Sequence, residues 1–160
     1  MENEFTELAN KALEIGKPKV AVCLCTLEHS AGDETLIEHI AFPGEVVKSS
    51  LQDRNRAFVY LVTEGRELEE WAKQFDFLEL FFACELRQTV LNECQAYLRE
   101  KIKEEYQIKN VASMNPCSLD IWDENKQREF YSLLKEGAEQ IDVTIQPNLL
   151  LSPQYSQSGI

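Results

Sequence analysis

"FVYLVTEGRELEEWAKQFDFLELFFACELRQTVLNECQAYL", residues 58–98, decides the fold class. It begins inside a strand pattern, "RAFVYLVTEG", that ends at Gly65. A short helix, "RELEEWAKQ", follows, with Glu67, Glu69 and Glu70 near its start, where the helix dipole favours negative charge. The third piece is a helical pattern over roughly 76–106, with Phe77, Phe81, Cys84, Leu91, Cys94, Leu98 and Ile102 along one stripe. At 1.5 Å per residue such a helix is about 45 Å long. A helix of that length should be the spine of the fold, with a sheet packed on it.

Outward from this unit, residues 2–15 read as an amphipathic helix through Phe5, Leu8, Ala12 and Ile15. "KPKVAVCLCTLEH", 17–29, alternates as a strand with two fairly apolar faces, which predicts burial on both sides. "TLIEHIAF", 35–42, fits a strand or a short helix, and Pro43-Gly44 can open the helix "GEVVKSSLQ". Downstream, "IKNVAS", 108–113, reads as a strand. Asp123 suits an N-cap for a helix over 124–136 that Gly137 would end. "IDVTIQ" and "NLLLS" read as two short strands split by Pro147, and the tail "PQYSQSGI" reads as loop. Strands and helices without regular alternation predict an α+β domain spanning 1–160, a twisted antiparallel sheet packed against a long helix.

The 160 residues are 44% apolar, enough for a core. Sixteen Lys and Arg against 28 Asp and Glu give a formal charge of −12. An acidic surface repels phosphate backbones and anionic lipid, so nucleic-acid and membrane roles are not expected. The amino-terminal stretch lacks the basic and apolar regions of a signal peptide. Together with five cysteines, an odd number, it implies reduced thiols and a cytoplasmic location.

Familiar catalytic motifs are missing: no G-x-G-x-x-G, no P-loop, no H-E-x-x-H and no nucleophile elbow. Cys23 and Cys25 share one face of a strand, about 6.6 Å apart by strand rise, at the long edge of disulfide geometry. Buried packing is the simpler reading of the pair, and a metal site with His29 or Cys117 is the sharper one. Cys84 and Cys94 fall on the long helix's stripe and read as core. Cys117, between Pro116 and Ser118 with Asn115 nearby, is a turn residue or a ligand-contacting thiol. The glutamates at 67, 69, 70, 104 and 105 read as solvated helix faces, and Trp71 and Trp122 as core anchors.

The carboxy-terminal third carries a more specific signal. Pro116-Cys117-Ser118-Leu119, Trp122, Gln127 with Phe130 to Leu134, and the tail from Pro153 through Ser156, Ser158 and Gly159 stand in a distinctive order. That order resembles the activation domain of cobalamin-dependent methionine synthase, and most closely its short stand-alone relatives. Residues 58–98 resemble the same family's strand, turn and long-helix unit. The resemblance implies a ligand loop at Ser113, Asn115, Pro116, Cys117 and Ser118, and a ligand-contacting tail at Ser156, Ser158 and Gly159. It implies S-adenosylmethionine as the ligand, and cobalamin carried by a corrinoid protein or methyltransferase subunit that is reductively methylated. It implies one part of such a system rather than a complete methionine synthase.

The chain departs from the family pattern at three places. Where the family's loop has arginine, glycine and tyrosine, this chain has Ser113, Cys117 and Ser118. Its Leu-Thr-Glu-Ser segment becomes Ile145-Gln146-Pro147-Asn148, and the aromatic residues beyond Ser-Gly have no counterpart here. Losing an arginine removes the bidentate partner of a substrate carboxylate. The chain also has no cobalamin-binding Asp-x-His-x-x-Gly motif. Three expectations follow: an accessory protein of a corrinoid methyltransferase; a reactivation subunit with altered S-adenosylmethionine binding; or a binding module that kept the fold without it, with Cys23, Cys25 and Cys117 as its metal variant.

Overall fold

The computed structural model describes residues 2–30, 32–115 and 125–160. Helix α1 (Glu2–Ile15) leads into β1 (Lys19–His29), the hairpin β2 (Glu34–Ile37) and β3 (Ile40–Pro43), and α2 (Glu45–Leu51). Next come β4 (Arg56–Thr63), α3 (Arg66–Ala72) and the 30-residue α4 (Phe77–Tyr106). The remaining elements are α5 (Lys126–Leu133), α6 (Lys135–Gln140), the two-residue strands β5 (Thr144–Ile145) and β6 (Leu151–Ser152), and β7 (Ser156–Gly159). Five strands form one antiparallel sheet in the order β3-β2-β1-β4-β7, and β5 pairs with β6 apart from it. This is the expected α+β architecture, a curled antiparallel sheet against a long helix.

Strand alternation sorts the core into two layers. Ala21, Cys25 and Leu27 of β1 join Val59 and Leu61 of β4 on one face. Phe130, Leu134, Ala138 and Ile141 cover them, and Phe42 meets Phe130 edge-on at 4.9 Å. On the other face Tyr60 and Val62 meet Leu91, Cys94, Leu98 and Ile102 of α4. A third cluster, Ala12, Leu68, Trp71, Ala72 and Ala83, joins α1 and α3 to the first part of α4. No helix among the described residues is long and apolar enough to cross a membrane.

Several expectations are corrected. Burial of β1 is one-sided: α4 covers Val20, while Val22 and Leu24 stay exposed. The ambiguous "TLIEHIAF" is the β2–β3 hairpin, turned by Glu38 and His39 at φ 47° and 70°. Residues 108–113 form no strand. The tail, read as loop, is β7 along the edge of β4. On α4, Phe77 and Phe81 are exposed, and Ala83 and Arg87 take the buried face. Positions 77, 84, 91 and 98 repeat every seven residues, and a straight helix drifts about 20° per heptad from such a repeat. The expected stripe therefore walks off the packed face toward its amino-terminal end. Glu69 is no solvated residue, because it accepts a hydrogen bond from the Gln154 N–H at 2.7 Å. Trp71 is buried; Trp122 and Asp123 lie outside the described residues.

Gly137 does not end a helix. It lies inside α6, where a Cβ would stand 2.8 Å from the Cβ of Ala21. The helix expected over 124–136 is instead two helices that meet at Leu134, and α6 approaches the sheet closely through this glycine. Alanine at an open helical site gains about 1 kcal/mol over glycine. Here Gly137→Ala is expected to destabilise by roughly 1–3 kcal/mol. Ala21→Gly in the same chain should relieve part of that loss, which a urea double-mutant cycle measures.

Cys25 supplies a pH test. Its Sγ lies 3.8 Å from that of Cys23, and burial, with the Cys23 thiol adding, pushes it up to about 12. A thiol whose folded pKa exceeds its unfolded value favours the fold below that unfolded value, near 8.5, and loses the contribution as pH rises. The urea midpoint should therefore fall between about 8.5 and about 12. Cys25→Ala should flatten that decline.

Candidate functional site

The tail strand builds the site. Its pairing with β4 sets Tyr60 opposite Gly159, Leu61 opposite Ser158 and Thr63 opposite Ser156. Next to it, Met114 and Ile160 exchange two backbone hydrogen bonds, of 2.8 and 2.9 Å, which fasten the end of the 107–115 segment to the tail. Gly159 is needed for close approach: a Cβ there would lie 2.5 Å from the Tyr60 hydroxyl and 2.7 Å from Asn115 Oδ1. Across the space left by that missing side chain, Tyr60 donates to Asn115 Oδ1 at 2.6 Å. Burial pushes the Tyr60 phenol up, so it acts as a hydrogen-bond donor at neutral pH.

Beside this contact lies a groove of about 510 Å³. Its polar wall consists of Asn115, Gln127, Ser156, Gln157 and Ser158, with Gln88 from α4 and Gln154 from the tail. Leu91, Tyr155 and the 149–151 leucines supply the apolar part. Ser158 donates to Gln127 Oε1 at 3.0 Å, Ser156 donates to Thr63 Oγ1 at 2.8 Å, and Gln95 bonds Gln157. No Lys, Arg, Asp or Glu lines the groove among the described residues.

Behind the groove wall, Arg87 binds the Glu64 carboxylate through two nitrogens, both side chains being almost fully buried. The same guanidinium lies 4.3 Å from the centre of the Tyr155 ring, and the Glu64 N–H donates to the Tyr155 carbonyl at 3.0 Å. Burial, with the Cys84 thiol adding, pushes the Tyr155 phenol up to about 12. The pair thus joins α4, the end of β4 and the tail at one point.

Of the residues expected to bind ligand, Asn115, Ser156 and Ser158 come together in the groove, with Gly159 beneath Asn115. Ser113 does not join them. It lines a separate space of about 50 Å³ with Phe58, Tyr60, Arg99 and Ile160, room for little more than water. Pro116, Cys117 and Ser118 lie outside the described residues. His29 contacts the Arg54 carbonyl through Nε2 at 2.6 Å, and no group of three or more His, Cys, Asp or Glu among the described residues is placed to hold a metal. Sequence reasoning missed Tyr60, Gln88 and the Glu64–Arg87 pair. The strand alternation of β4 put Tyr60 on the helix-facing side, but only the register of β7 joins it to the site.

Gly159→Ala is expected to displace Tyr60 from Asn115 and cost roughly 1–3 kcal/mol. Tyr60→Phe, which removes only the donor, should cost about 0.5–1.5 kcal/mol. Urea unfolding of the two variants distinguishes steric from hydrogen-bonding loss.

No protein-family profile and no curated protein matches this chain. Among solved structures, the crystal structure of the MetH reactivation domain bound to AdoHcy matches with a TM-score of 0.72 at 14% identity. The match covers 99% of this chain and 64% of that one, so this chain spans about two-thirds of its length at most. Likeness at this identity shows the fold, and the fold is that of the reactivation domain across nearly every residue of this chain.

Proposed function

We propose that this chain serves a corrinoid-dependent methyltransferase as an accessory module. It would dock on the cobalamin-carrying partner and assist its reductive activation or the handling of its cofactor. The fold it shares with a reactivation domain supports the reading, as does a groove lined by Asn115 and the tail residues Ser156 and Ser158.

The neutrality of the groove's described residues carries the rest. S-adenosylmethionine bears a carboxylate, an ammonium and a sulfonium. A carboxylate is held best by an arginine fork, and a buried charge without a partner is costly. Arg87, the neighbour of Gln88 in sequence, is already engaged by Glu64. Glutamine, asparagine and serine side chains offer neutral donors and acceptors instead, which match uncharged amides such as those around a corrin ring. The solved neighbour holds AdoHcy. In this chain the groove favours weak binding of such a zwitterion, with contact to the corrinoid partner as the main role. The second reading is a protein- or ligand-binding module that kept the fold without S-adenosylmethionine, and the same neutral walls favour it.

Calorimetry separates the two. The protein is titrated with a corrinoid protein in the cob(II)alamin state, with free cobalamin, and with S-adenosylmethionine and S-adenosylhomocysteine. Saturable binding of the corrinoid protein is expected, with little heat from the nucleosides at millimolar concentration. Silence from both corrinoid probes would leave the second reading. A stabilisation of about 2.7 kcal/mol with S-adenosylmethionine at 100 times its Kd would restore it as a true ligand.

A further inference from the structure

A second concavity, of about 490 Å³, lies far along the chain from the tail, between α1 and the α3–α4 turn. Glu4, Glu7, Leu8, Lys11 and Ile15 form its α1 wall, one face of that helix over three turns, or about 16 Å. Trp71 and Phe75, edge-to-face at 4.8 Å, form the opposite wall, and Glu79 closes one end. At that end the surface stays apolar beyond the groove. Phe77 is 93% exposed, and Leu78 and Phe81 are exposed beside it. Phe5 packs edge-on against Phe82 at 5.5 Å, which ties α1 to this ridge.

The charges around the groove select its occupant. Lys11 is held by Glu14 at 2.9 Å. Neither Glu7 nor Glu79 has an ion-pair partner among the described residues. A second copy of a chain with net charge −12 would set carboxylates against carboxylates. An apolar floor of helical length between the carboxylates of Glu7 and Glu79 fits an amphipathic helix with basic flanks.

We propose that this groove takes such a helix from a partner protein. Its apolar side chains, spaced at i, i+3 or i+4 and i+7, seat against Leu8, Trp71 and Phe75, and its Lys or Arg residues face Glu7 and Glu79. The surface is separate from the tail groove, so it stands whether or not a corrinoid partner binds there.

The probe is a fluorescein-labelled leucine–lysine helix of about 16 residues, long enough to match the α1 wall, titrated with the full chain by anisotropy. A leucine–glutamate counterpart is the control. Saturable binding of the lysine peptide alone is expected. The double variant Glu7→Lys/Glu79→Lys should weaken it about tenfold or more. Phe77→Ser, at a site 93% exposed, should weaken it too. Glu104→Lys/Glu105→Lys, at the far end of α4, should leave it within about twofold. Equal weakening by the near and far reversals would reduce the attraction to net charge and overturn the proposal. So would no binding at about 1 mM, a weak limit for peptide docking, or a dimer in sedimentation that Phe77→Ser dissolves.

Discussion

The Glu64–Arg87 pair is the contact on which the functional end of the molecule depends. It sits just past β4, and both side chains are almost fully out of water. Two buried charges bring little net stability, because desolvation offsets most of their attraction. Their value here is geometric. A guanidinium engaged through two nitrogens cannot rotate without leaving a carboxylate unpaired. That fixes α4 against the end of β4, and the face of the same guanidinium receives the Tyr155 ring. The Glu69 carboxylate adds a further tie, accepting a hydrogen bond from the Gln154 N–H. The tail thus meets a charged lock at its entry before it begins to pair as β7.

Once the tail is fixed there, its register follows. Ser156 meets Thr63, Ser158 meets Gln127, and Gly159 lies under the Tyr60–Asn115 hydrogen bond. The groove is therefore produced by strand closure rather than by a single reactive loop. Its walls are neutral among the described residues. Arg87, next to Gln88 of the wall in sequence, is consumed in holding the architecture. A guanidinium held by Glu64 is not free to bind a second carboxylate.

The fold was legible where the signal is local. The strand ending at Gly65, the short helix after it and the long helix each carry their own periodicity, and they lie within a residue or two of where the sequence put them. Legibility failed where a distant partner decides. "SQSG" has little strand propensity and becomes β7 only because β4 offers an edge. Glu38 and His39 lack the Asn-Gly signature of a tight hairpin and still adopt left-handed backbone, since the β2–β3 pairing requires it. Gly137 looked like a helix stop and instead admits Ala21. The site divides the same way. Asn115, Ser156 and Ser158 could be named from order along the chain, whereas Ser113, two residues from Asn115, opens onto a different space.

That separation of Ser113 from Asn115 bears on how far a family pattern can be carried. The resemblance implied a lost arginine at Ser113 as one of three departures from the family pattern. Ser113 lines the small space that it shares with Tyr60 and Arg99 instead. The neutral groove is a property of the whole arrangement: the tail's register, the serine and amide side chains that the register turns inward, and an arginine already bound elsewhere.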